Sequence, residues 1–353
     1  LKILILKPSS LGDVLQALPV LRLLKLHWRD AEIFWWIDSA LAPLLAGDPD
    51  LAGVVLFERK RWRSPRHWPE MFRSLRWLRA KKFDLVIDLQ CLARSGAFAW
   101  LARGKFLIGL DEAREGARGF YDVAVPRKSF HTHAVDWYLS VLPELGVPVH
   151  KNFNWLPERP AVAAEVKQKW PGENSQFAIR NSQLILLQPG ARWQNKRWPV
   201  EQFAELARAL AGKFPAARLA VLGGKDDELL GEIISQAAPQ PCLNLCGQTS
   251  LLEMVEWIRR CDLLITNDTG PMHAAAALGK PLVALFGPTE PRRTGPYGQL
   301  ENVLRLELAC APCMKSRCHF EKPEECLRAI SPAQVLARVQ KLLSQTALDA
   351  GQT

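Results

Sequence analysis

No apolar run in the 353 residues approaches the roughly 18 needed to cross a bilayer as a helix. The opening LKILIL is short, and Lys7, Pro8 and Ser9 follow it without a cleavage-like pattern, so it reads as a strand and not as a signal peptide. A cytoplasmic protein is expected. No RRM, KH or zinc-finger pattern is present, and no nucleic-acid partner is expected. Nothing repeats beyond a strand–turn–helix grammar shared by the two halves. At 48% hydrophobic and 23% charged, the composition is that of a globular protein and excludes disordered and fibrous classes. The length exceeds one ordinary core and implies two domains.

Acidic residues are also short in supply, 36 against 46 Lys and Arg. The deficit is local. Arg59 to Lys82 carries ten basic side chains and one acid, Glu70, which accounts for nearly all of the net +10. Such a concentration points to one anionic partner surface. From about Trp68 the segment is helical, with Met71, Phe72, Leu75 and Leu78 on one face and Arg73, Arg76 and Arg79 on another. It reads either as an amphipathic helix with a solvated basic face or as a site for phosphates or an anionic membrane, with Trp62 and Trp68 as interfacial aromatics.

Along the chain, short apolar runs alternate with helical periods. Strands are expected at Lys2–Leu6, Glu32–Ile37, Val54–Phe57 and Phe83–Leu89, with shorter ones near Phe106 and Tyr121. Asp13 opens the first helix, where the dipole favours a carboxylate, a common stabilising arrangement in its own right. His131 and His133 have no evident third partner for a metal. A stretch rich in Pro, Asn and Lys after Val147 marks the boundary, giving domains 1–165 and 166–353. The second half runs strand–helix–strand in consistent order. It predicts a parallel sheet with ligand loops at the carboxyl ends of its strands.

One stretch, CDLLITNDTGPMHAAAALGKPLVALFGPTEP from Cys261 to Pro291, organises this half. A buried strand ends in Asn267-Asp268-Thr269-Gly270. Pro271 suits the first turn of a helix, and Gly279 stops that helix before the next strand. Free N–H groups and the positive dipole end converge there, as a phosphate site requires, although many such turns bind nothing. His273 lies in the first helical turn.

NDTGPMH, the N-terminal KPSSLGD and KRWP at Lys196 to Pro199 together resemble glycosyltransferase family 9, the ADP-heptose:lipopolysaccharide heptosyltransferases. FDLVIDLQ, AREG at 113–116 and HAVD at His133 to Asp136 are similar too, and the resemblance spans nearly the whole chain. It implies an α/β GT-B fold, two Rossmann-like domains facing across a cleft, with the first binding acceptor and the second the nucleotide sugar. It implies an inverting transfer of heptose from ADP-heptose to Kdo–lipid A, with no cofactor required. Asp13 would be the general base. Lys196, Asp268, Thr269, Gly270 and His273 would hold the donor. An acid after Gly224 (Asp226, Asp227 or Glu228) would face the adenosine, with Asp227 and Glu228 assigned to the donor site. Ser10, Gly12, Lys60, Arg61, Arg63 and Arg114 would meet the acceptor, and Lys60-Arg61-Trp62-Arg63 resembles the arginine-rich acceptor loop of heptosyltransferase I. A monomer peripheral to the inner face of the cytoplasmic membrane is expected.

Two features depart from the family pattern. Cys91 stands in the turn where the family commonly has glycine. Cys310, Cys313, Cys318 and Cys326 fall within one short span beside His319. Four thiols can hold a structural Zn²⁺, although these gaps are looser than a zinc ribbon's; reduced thiols are the alternative. Two functional alternatives remain at this level. One is a GT-B transferase using another nucleotide sugar or an outer heptose acceptor. The other is a non-enzymatic protein binding an anionic surface.

Overall fold

The computed structural model describes residues 1–112, 115–169, 183–239 and 241–350, with side chains as far as 345. It divides into two compact units, Leu1–Pro157 and Glu158–Thr353. The boundary expected at 165/166 falls inside a helix of the second unit, Pro160–Lys169.

In the first unit, strands β1 (Lys2–Leu6), β2 (Glu32–Asp38), β3 (Gly53–Phe57), β4 (Leu85–Asp88), β5 (Phe106–Asp111) and β6 (Val123–Pro126) alternate with helices α1 (Leu11–His27), α2 (Trp68–Lys81), α3 (Ala93–Leu101) and α4 (Ala134–Leu139). The second unit has α5 (Pro160–Lys169), β7 (Leu184–Gln188), α6 (Val200–Lys213), β8 (Arg218–Val221), α7 (Glu228–Ala237) and β9 (Cys242–Asn244). It continues with α8 (Leu251–Arg260), β10 (Leu263–Asn267), α9 (Gly270–Ala277), β11 (Leu282–Phe286), α10 (Pro291–Thr294), β12 (Val303–Arg305), α11 (Glu325–Arg328) and α12 (Pro332–Ala350).

The sheet orders are β3-β2-β1-β4-β5-β6 and β12-β11-β10-β7-β8-β9. Every pairing is parallel. Numbered within its own unit, each sheet has the same doubly wound order, 3-2-1-4-5-6. The central strands explain why. KILIL, LILLQ, LLITN and LVALF are buried almost throughout, as continuous apolar runs must be when helices cover both faces of a sheet.

The first unit's core is aromatic on one face. Trp36 stacks on Phe98 at 4.5 Å and lies 4.4 Å from Phe57. Trp62 joins them, edge-on to Phe57 and parallel to Phe98. Trp62 is therefore a core-packing residue and not an interfacial one. On α2, Leu75 and Leu78 are buried as expected, but Phe72 is 54% exposed and points away from the core. Met71 and Phe72 are adjacent in sequence, so about 100° separates them on a helix, and Met71 alone packs on the core.

At the β4 turn, Cys91 has φ +60°, the left-handed conformation that favours glycine. Its thiol donates to the Leu110 carbonyl at 2.9 Å and accepts from the Glu112 N–H at 3.0 Å. Those bonds give the side chain a role at a position where glycine would have none. Gly109, on the neighbouring strand β5, is required by packing: a Cβ there would fall 2.4 Å from the Tyr121 ring.

One buried ion network ties this unit together. Arg22 on α1 makes a two-pronged pair with Asp48 (2.7 and 2.6 Å), reaches Asp50 at 2.7 Å, and donates twice to the Trp155 carbonyl. The network joins α1 to the loop before β3 and to the end of the unit. Arg22→Met leaves Asp48 charged and buried with its main partner gone. We expect a loss of about 3–5 kcal/mol in the unfolding free energy of this unit, measured by urea titration of its tryptophan fluorescence. Asp48→Asn added to Arg22→Met should recover part of the loss.

Candidate active site

In an open parallel sheet, ligand loops gather where the strand order reverses, because the chains leaving the two central strands diverge there. That point lies between β1 and β4 in the first unit and between β7 and β10 in the second. Asp13 stands at the first, and Lys196 and Asp268 stand at the second; Lys60, Arg61 and Arg63 follow β3, and Asp227 and Glu228 follow β8.

In the first unit, the loop after β1 leads through Ser10 into α1, and Asp13 lies in the first turn. Ser10 donates to one Asp13 oxygen from both its N–H (2.8 Å) and its hydroxyl (2.7 Å). Tyr138 on α4 donates its phenol to the other oxygen at 3.2 Å. Burial pushes the Tyr138 phenol well above its ordinary pKa, and the Asp13 charge pushes it further, so it remains a donor at any physiological pH. Lys7, buried below, donates to the Leu89 carbonyl after β4 at 2.9 Å and sits 4.5 Å over the Tyr138 ring. Burial lowers its pKa, and Asp13 and Asp88 oppose that shift. Gly12 is buried in α1.

Tyr138 is one residue that sequence patterns did not single out. It lies 125 residues from Asp13. A tyrosine within an otherwise apolar helical run was the available signal, since a buried phenol seeks a polar partner. His133, by contrast, caps α4: its Nδ1 accepts from the Val135 N–H at 3.2 Å.

Of the basic residues assigned to the acceptor, Arg61 pairs with Glu70 at 2.6 Å. Lys60 and Arg63 are exposed, and among the described residues they pair with no carboxylate. Arg114 lies outside the described residues.

In the second unit, the Lys196 ammonium is 2.6 Å from the Asp268 carboxylate and 4.7 Å from the centre of the Trp193 ring. The Thr289 hydroxyl donates to the same Asp268 oxygen at 2.6 Å. Asp268 thus gathers three loops: those after β7, β10 and β11. Thr289 and Trp193 are further residues that sequence patterns did not assign, although Thr289 stands inside GPTEP. Asn267 fixes the frame by donating to the Pro189 carbonyl at 2.7 Å and accepting from the Trp198 N–H at 3.1 Å. Thr269 occupies the N-cap position of α9 without a side-chain capping bond, Gly270 opens the helix, Pro271 lies in its first turn, and His273 is buried.

The two acids assigned to the donor site after Gly224 part company. Asp227 is buried, accepts from the Gly224 N–H at 3.0 Å and pairs with Arg197 at 3.5 Å. Glu228 is exposed at the start of α7, with its carboxylate against Gly247.

Cys310, Cys313, Cys318 and Cys326 line one cavity of about 190 Å³, with His319 and Asn195. All four are free thiols. Among the described residues, no three His, Cys, Asp or Glu side chains are grouped to hold a metal ion. Burial pushes Cys326 up to about 11, and the other three cysteines add to the shift, so it is a neutral thiol at neutral pH.

Comparison with known proteins identifies the family. The family model for glycosyltransferase family 9 (heptosyltransferase) matches residues 71–323. The lipopolysaccharide heptosyltransferase 1 of Pseudomonas aeruginosa is 30% identical over 97% of this chain and 98% of its own length. The lipooligosaccharide heptosyltransferase 2 of Haemophilus influenzae is 30% identical over 87% of this chain and 89% of its own. The solved structure of E. coli ADP-heptose LPS heptosyltransferase II superposes with a TM-score of 0.78 at 26% identity, covering 98% of this chain and 100% of that one. The two Rossmann-like units are those of a GT-B enzyme, and the chain belongs to glycosyltransferase family 9, the heptosyltransferases.

Proposed function

We propose that this enzyme transfers heptose from ADP-heptose to the Kdo–lipid A inner core of lipopolysaccharide, with inversion at the anomeric carbon. The observation that carries the reading is the Asp13 carboxylate, held at a helix N-terminus by Ser10 and Tyr138 in fixed orientation. In a single displacement the acceptor oxygen bonds to C1 as the bond from C1 to the diphosphate breaks. ADP leaves with that electron pair, and the acceptor proton passes to Asp13. The hydroxyl becomes acidic only as its new bond forms, so a carboxylate of ordinary basicity is sufficient if it is well aimed.

The leaving diphosphate needs charge stabilisation on the donor side. Lys196, aligned by Asp268 and Trp193, supplies a cation. Thr269 and the first N–H groups of α9 supply donors at the positive dipole end, with His273 beside them. Glu228 meets the ribose hydroxyls, while Asp227 supports it by closing the Gly224 turn. Lys60, Arg61 and Arg63, together with Arg114, meet the acidic groups of the acceptor, alongside Ser10 and Gly12. No step in this scheme depends on a metal. The acceptor is a lipid, so on this reading a monomeric, cytoplasmic enzyme works at the inner face of the membrane. Among the described residues no helix is long and apolar enough to cross it.

Asp13→Asn should lower kcat by about 10²–10⁴-fold while calorimetric affinity for ADP-heptose stays near wild type. Retained turnover would overturn the base assignment. Tyr138→Phe removes one of the donors that orient the carboxylate, so kcat should fall about tenfold with donor KM unchanged. Lys196→Ala should do the opposite and weaken ADP-heptose binding about 10–100-fold, the worth of one charge-assisted contact. Unchanged affinity in that titration would remove Lys196 from the phosphate site.

A further inference from the structure

The first unit carries a surface that the transfer scheme leaves unused. Helix α2 buries Leu75 and Leu78, and its outer side presents Trp68, Phe72, Arg73, Arg76 and Arg79. Trp68 is 47% exposed and Phe72 54%. The Arg79 guanidinium donates to the Leu101 carbonyl at 2.8 Å, fastening the end of α2 to the end of α3. Trp100, 60% exposed, and Arg103 therefore stand beside Arg79, around an open cavity of about 500 Å³.

Carboxylates on this side are already engaged. Glu70 is taken by Arg61 and Asp84 by Lys105, and Asp122 accepts from the Leu107 N–H. Among the described residues none pairs with Arg73, Arg76 or Arg103. The face thus combines large exposed aromatics with unopposed guanidinium groups. Aromatic rings of this kind settle at the headgroup level of a bilayer, and guanidinium groups bind lipid phosphates. An anionic leaflet concentrates such a basic surface against itself.

We propose that the α2–α3 face docks this enzyme on an anionic phospholipid bilayer. The inference rests on the lipid-acceptor reading above for its purpose, but its test does not. Co-sedimentation would use vesicles of phosphatidylcholine alone, or with about a quarter phosphatidylglycerol, and no acceptor. Wild-type enzyme is expected to pellet with the anionic vesicles only, and to be released as salt is raised. Phe72→Ser with Trp100→Ser, and separately Arg73→Glu with Arg76→Glu, should each reduce the bound fraction at least about tenfold. These side chains are exposed, and both variants should keep wild-type turnover on a deacylated, water-soluble acceptor. Equal partition of variants and wild type overturns the assignment. So does a wild-type protein that ignores the vesicles and instead self-associates through this face. An enzyme inactive with ADP-heptose but still partitioning as described would defeat the catalytic reading and leave the docking face in place.

Discussion

The site in each unit follows from one constraint: a parallel sheet covered on both faces cannot place a ligand on either face. Its central strands are apolar through most of their length, and helices occupy the space above and below. The remaining opening is the carboxyl edge, and it is widest where neighbouring strands send their chains in opposite directions. In each unit that reversal happens once, beside the first strand. Asp13 and Lys7 stand at one reversal, Lys196 and Asp268 at the other.

A gap between diverging loops must be held at a fixed width, and each unit does this with a buried polar side chain. Lys7 follows β1 and bonds the backbone after β4. Asn267 ends β10 and bonds the backbone at two places after β7. The chemistry differs, but in both cases a side chain on one loop satisfies main-chain groups on the other. Such ties are stiff because breaking them leaves buried polar groups without partners, which costs more than the bond itself contributes. The Asp13 carboxylate and the Lys196 ammonium are attached to this frame, not to free loops.

Much of this was legible in the sequence because the strands are continuous apolar runs and the turns after them carry unusual residues. What local patterns could not show was anything depending on distant contacts. Tyr138 looked like one more helical aromatic, and only the packing of α4 against α1 brings its phenol to Asp13. Trp62, read as an interfacial residue from its arginine neighbours, is drawn into the core by Phe57 and Phe98. Phe72 went the other way, because adjacent positions on a helix cannot share one narrow buried stripe. Cys91 is a different case: the departure from glycine was visible, but its φ of +60° and the thiol's two hydrogen bonds belong to the fold.

The chain uses positive charge in two ways, and pairing separates them. In the second unit the cations near the carboxyl edge are matched to carboxylates: Lys196 to Asp268, Arg197 to Asp227, Arg305 to Glu290. A matched cation exerts little field at a distance, but its side chain is fixed in position. In the first unit, Arg73, Arg76 and Arg103 pair with no carboxylate among the described residues. They are poorly placed for geometric recognition and well placed for attraction, because an uncompensated cluster projects a potential over about a Debye length, roughly 8 Å at physiological salt. A soluble nucleotide sugar needs the first kind of site. A charged surface much larger than the protein needs the second, the kind proposed for α2, the segment in which the sequence concentrates its excess charge.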